Sequence, residues 1–140
     1  LLSIYMKKNF TNFNTLKNFN SKEIFGKTWI LEMEKHQIVI NVHSGFDQNN
    51  NINSRVFEAL SAGCLLFCEE NKFMKKFFLE NKHVVYFNSK NDLKKKIDYY
   101  LLNTKAAYKI AKNGNQLFIK KHQSKVRIKE FKKIIKSIRI

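Results

Sequence analysis

Along the chain, short apolar runs alternate with stretches of near-helical spacing. In "SKEIFGKTWILEMEKH" (residues 21–36) the apolar positions Ile24, Phe25, Trp29, Ile30 and Met33 predict a helix, with Gly26 weakening its first turn. "QIVINVHSG" follows, its Ile38, Val39, Ile40 and Val42 mostly β-branched and Gly45 a stop, which predicts a strand. Nearly unbroken apolarity suits a strand covered on both faces, as in parallel sheets. After the polar loop 46–53, a helix is expected from Asn53 or Ser54, either able to cap it. Its inward stripe is Val56, Phe57, Leu60 and Ser61, and Gly63 suits a left-handed end.

The alternation continues to the C-terminus. "CLLFCEE" predicts a second strand, "NKFMKKFFLE" a helix capped by Asn71, and "HVVYFN" a third strand. Asn91 is the expected cap of "DLKKKIDYYLL", with Leu93, Ile97, Tyr100 and Leu101 inward. Another helix runs from Thr104 through Ala107, Ile110 and Ala111 to an expected break near Gly114. The last spans 124–138, with Ile128, Phe131, Ile135 and Ile138 on one side. Strands alternating with helices predict βαβ units around a parallel sheet. Residues 1–20 lack such patterning and read as a linker or the remnant of a preceding domain. Three strands make a narrow sheet, and with a start at Leu1 this predicts a piece of a larger protein.

Composition adjusts the picture. The chain has 140 residues and a formal net charge of +16. Its 44% hydrophobic content supports a packed core, and no apolar run approaches the ~20 residues of a spanning helix. "LLSIYM" is too short for a secretory signal and precedes its lysines, so a cytoplasmic protein is expected. Lys outnumbers Arg by 24 to 3, and Asn, Lys, Ile and Phe make up 68 residues, a bias towards AT-rich codons. The charge is also uneven: residues 37–70 carry a net −3 and residues 105–140 a net +11. A basic module for nucleic acid or an anionic membrane surface is therefore an alternative reading. Scarce arginine and the absence of a nucleic-acid motif disfavour nucleic acid, whereas lysine-rich helices are compatible with a membrane surface.

Candidate chemistry clusters where the first strand meets the next helix. In open α/β sheets, ligands bind beyond the carboxyl ends of the strands. His43, Ser44 and Gly45 lie at such an end, and the helix after Asn53 presents free N–H groups and a dipole suited to phosphate. Arg55 is the only basic residue between 37 and 70 and could grip a diphosphate. Glu58, one turn further in, could accept from two sugar hydroxyls, or it could simply pair with Arg55. His43 could orient a phosphate or a sugar hydroxyl, but reads more readily as a satisfied histidine at a loop entrance. Cys64 and Cys68 share a strand face ~13 Å apart, too far for a disulfide or one zinc, and are expected in the core. No metal site is expected.

"RVFEALSAGCLLF" resembles the donor-binding half of group 1 glycosyltransferases, especially the CgeB-like (spore maturation) branch. The likeness continues through "NDLKKKIDYYLLNTKAAYKIAKNGNQLFIKKH" and covers roughly residues 22–135. It implies half of a GT-B fold: a Rossmann-like three-layer αβα domain with a short parallel sheet and C-terminal helices, over residues 21–140. It implies a nucleoside-diphosphate sugar donor, with Glu58 on the ribose, Arg55 on the diphosphate, and Ser44, Gly45, Asn53 and His43 lining the pocket. No cofactor or metal is implied. The acceptor is unspecified, and a missing N-terminal Rossmann-like domain would supply the general base. Many members carry a second Glu eight positions before the ribose Glu; Asn50 stands there instead. A non-catalytic relative of the fold is thus a further alternative.

Overall fold

The computed structural model describes residues 4–7, 26–42 and 52–138. Four strands, β1 (Ile4–Lys7), β2 (His36–Asn41), β3 (Leu65–Glu69) and β4 (Val85–Phe87), form one sheet in the order β1-β2-β3-β4. β2, β3 and β4 are parallel, as the alternation of elements predicts. β1 is an addition: it lies within the expected linker 1–20 and pairs antiparallel with β2, Ile4 opposite Ile40. Four residues are too short a run to carry a period-2 signal.

The parallel strands are buried on both faces, which accounts for their continuous apolarity. One face presents Ile38, Ile40, Leu65, Phe67, Val85 and Phe87 to α3 (Lys90–Leu102) and the first half of α4 (Thr104–Lys121). Val39, Leu66, Cys68 and Tyr86 on the other face meet α1 (Gly26–Met33) and α2 (Ser54–Ser61). Cys64 and Cys68 are free, buried core residues, as expected. Burial pushes the Cys64 thiol up to about 12 and Cys68 higher still, the Asn41 side chain offsetting the latter only in part.

Several local expectations are corrected. "NKFMKKFFLE" is not a helix but a single 3-10 turn, Met74–Lys76. Asn71 does initiate it, its Oδ1 accepting from Phe73 N at 2.8 Å and Met74 N at 3.1 Å. The chain then has to turn back into β4, which it does with Asn81 at φ 56° and the Tyr86 hydroxyl donating to Phe78 O at 2.9 Å. The cap of α3 is Ser89 rather than Asn91; Ser89 Oγ accepts from Asp92 N at 3.1 Å, and Asp92 accepts in turn from Asn88 N.

Gly114 does not break α4, which passes through it. A Cβ there would stand 2.5 Å from His83 O and 2.8 Å from Leu60 Cδ2, so glycine is required by close approach. Asn115 beside it donates to Leu60 O and Ser61 O, closing the C-terminal end of α2. From this crossing α4 runs on from the first core cluster, with Ala107 and Ile110, to the second, with Leu117 and Phe118. α5 (Ser124–Ile138) has the expected bounds. Its stripe of Ile128, Phe131, Ile135 and Ile138 is exposed rather than packed inward. Among the described residues no helix is long and apolar enough to cross a membrane.

Candidate functional site

Parallel pairing puts the carboxyl ends of β2 and β3 on one edge, and α2 begins at that edge. Asn41, the last residue of β2, is 1% exposed. Its Oδ1 accepts from Asn53 Nδ2 at 3.2 Å, tying the end of the strand to the start of α2. Asn53 is the residue before α2, as expected, but its side chain makes no capping bond because it serves this link instead. Asn41 Nδ2 and Asn53 Oδ1 are buried without partners among the described residues. His43, Ser44 and Gly45 lie outside the described residues, as does Asn50.

Arg55 and Glu58 lie one helical turn apart on α2, and the structure brings them together. Arg55 NH1 donates to Glu58 Oε2 at 2.8 Å. Trp29 on α1 joins them, its indole N–H donating to the same oxygen at 2.7 Å. The Arg55 guanidinium stacks over the Trp29 ring, 4.0 Å from its centroid. Both charged side chains are 26% exposed. Among the described residues the Glu58 carboxylate is held through Oε2 alone, and Oε1 has no hydrogen-bond partner there. Arg55 keeps further N–H donors beyond the one given to Glu58.

Trp29 is the member that sequence reasoning missed. Its helical spacing marks it only as an apolar position, although a half-buried indole N–H needs an acceptor somewhere. The other flank of α2, where Phe57 points about 100° from Glu58, borders a separate cavity of about 290 Å³. Phe73, Phe77, Phe78 and His122 line it with Phe57. Among the described residues no group of three or more His, Cys, Asp or Glu side chains could hold a metal.

The sequence model described as glycosyl transferase-like matches residues 11–133. The fold is similar to the C-terminal domain of a glycosyl transferase group 1 family protein (LpcC) from Francisella tularensis. The TM-score is 0.58 at 18% identity, over 73% of this chain and 52% of that one. This chain thus spans about half the length of that solved chain. The three-stranded parallel sheet with its flanking helices matches a GT-B C-terminal domain. A comparison with curated proteins finds no match.

Proposed function

Since the chain belongs to the glycosyl transferase-like family, we propose that it binds a nucleoside-diphosphate sugar donor for transfer of the sugar to an acceptor. The observation that carries this reading is the Trp29–Arg55–Glu58 cluster beside the carboxyl edge of the sheet. Two donors hold Glu58 Oε2 and fix the carboxylate, while Oε1 is left to accept from a ribose hydroxyl. The N-terminus of α2 and the remaining N–H groups of Arg55 supply positive potential for the diphosphate. Stabilising that leaving group as charge develops on it is the contribution of such a domain to transfer.

In this reading the donor-binding unit, of the CgeB-like branch, includes β1 as the edge strand of its sheet, and a preceding Rossmann-like domain holds the acceptor and the general base. Ser44, Gly45 and His43 line the donor pocket, and no resident metal is needed to neutralise the diphosphate. The protein works in the cytoplasm.

Calorimetry with UDP and with GDP tests the site. Glu58→Ala should weaken binding of the preferred nucleotide at least about tenfold, the effect of losing one hydrogen bond to a charged group. Lys133→Ala, on the exposed α5, should change it little. Equal effects of the two substitutions would refute the assignment.

A further inference from the structure

Asn53 stands in the conformation of a helix cap and does not cap. Its φ of −78° and ψ of 162° are the extended values from which a side-chain oxygen turns back onto the first N–H groups of a helix. A rotation of the side chain alone would bring Oδ1 to the N–H of Arg55 or Val56. Instead the amide is directed at Asn41, Nδ2 donating to Asn41 Oδ1 at 3.2 Å. No acidic side chain stands in the first turn of α2 either, so that turn lacks both devices that commonly satisfy a helix start.

Asn41 is the reason. Every other residue from 38 to 42 is Ile or Val, and Asn41 is as deeply buried as they are in β2. A buried amide oxygen needs a donor, and among the described residues Asn41 Oδ1 finds it in Asn53. An apolar residue at this place would need nothing from Asn53 and would release it to cap. The arrangement is costly, since Asn41 Nδ2 and Asn53 Oδ1 are left buried without partners among the described residues. We infer that Asn41 is a positioning residue: by holding Asn53 aside it keeps the first N–H groups of α2 open to the phosphates of the donor. The inference rests on the donor reading above and adds the residue that keeps the phosphate end of that site clear.

The test is calorimetry of the full chain with UDP and with GDP. Asn41→Ala frees Asn53 to cap, so affinity for the preferred nucleotide should fall about fivefold, the equilibrium equivalent of one capping bond. Adding Asn53→Gly removes the cap and should recover most of that loss, which a merely structural role of Asn41 would not do. A second pair keeps Asn41 and decides the matter should Asn41→Ala not fold by circular dichroism. Serine caps as well as asparagine and glycine has no side chain to cap with, so Asn53→Ser should bind the nucleotide more weakly than Asn53→Gly. Amide hydrogen exchange without nucleotide should show the N–H of Arg55 or Val56 slowed in Asn41→Ala and in Asn53→Ser, but not in the glycine variants. A parent chain that binds neither nucleotide would refute the donor reading and take this inference with it. With a parent that binds, undiminished affinity in folded Asn41→Ala, no recovery in the double variant, or equal binding by Asn53→Ser and Asn53→Gly would overturn this inference and leave the donor reading standing.

Discussion

The indole N–H of Trp29 donates to Glu58 Oε2 at 2.7 Å, across 29 residues of sequence and between two helices. With Arg55 stacked on the same ring, one side chain orients both members of the ion pair. Trp29→Phe keeps an aromatic ring for Arg55 and removes the indole N–H and its hydrogen bond, together with part of the packing of the larger ring. We predict a loss of about 1 kcal/mol of stability in urea unfolding followed by circular dichroism. Nucleotide affinity should fall as well, because Glu58 loses a restraint. Unchanged stability and affinity would show that the contact is incidental.

Gly114 makes a prediction opposite in sign to helix propensity. Gly→Ala inside an exposed helix gains about 1 kcal/mol. Here the new Cβ would collide with the backbone oxygen of His83, which has no rotamer to escape into. Gly114→Ala should destabilise the fold by about 1–3 kcal/mol. A more stable variant would mean that α4 does not cross so near the start of β4.

Ser89 and Asn91 separate the observed cap of α3 from the one its sequence suggests. Ser89→Ala should cost about 1 kcal/mol by urea unfolding, and Asn91→Ala should be nearly neutral. The reverse ranking would place the start of α3 two residues later.

The parallel pairing of β2, β3 and β4 was legible in the pattern of the sequence, because bounded apolar runs alternate with stretches of helical spacing. The inward stripe of α3 was legible for the same reason, with Ile97 and Tyr100 buried where the spacing put them. The cap of α3 was misread as Asn91, although Ser89-x-x-Asp92 has the spacing of a capping box. Less was readable where tertiary contacts decide. Phe73, Met74, Phe77 and Phe78 have helical spacing, yet the return into β4 and the Tyr86–Phe78 bond stop the helix after one turn. Gly114 looked like a breaker because its neighbours His83 and Leu60 are distant in sequence. At the site, Arg55 and Glu58 were legible from one-turn spacing, whereas Trp29 enters from another helix. The equal amphipathicity of a core-facing and a solvent-facing stripe made α5 readable as a helix but not as an exposed one.

Acid should weaken the fold through His122 and His83. His122 lies against Phe57 and Phe78, and its Nδ1 accepts from Arg127 NH2 at 3.1 Å, which requires a neutral ring. Burial holds its pKa below the ordinary value, with Arg127 and Lys121 adding to the effect and Glu130 opposing it. For His83 the causes are burial, then Lys82 and Lys121. With both folded-state values depressed, the unfolded chain takes up protons first. Stability is thus complete above about pH 6.5 and falls as pH drops through the folded values. Urea midpoints between about pH 7.5 and about pH 5 should decline, and His122→Gln should flatten part of the slope. A midpoint that rises on acidification would contradict these environments.

The central claim is that the Glu58–Arg55 pair holds a nucleoside diphosphate, and Trp29 offers a direct readout because it is the only tryptophan in the chain. Titrating UDP, GDP and ADP while following Trp29 emission should give a saturable change for at least one nucleotide. The change should be lost in Glu58→Ala and Arg55→Ala and preserved in Lys133→Ala. A folded chain whose emission answers to none of the three, or a Lys133→Ala chain that loses the response as Glu58→Ala does, would contradict the account.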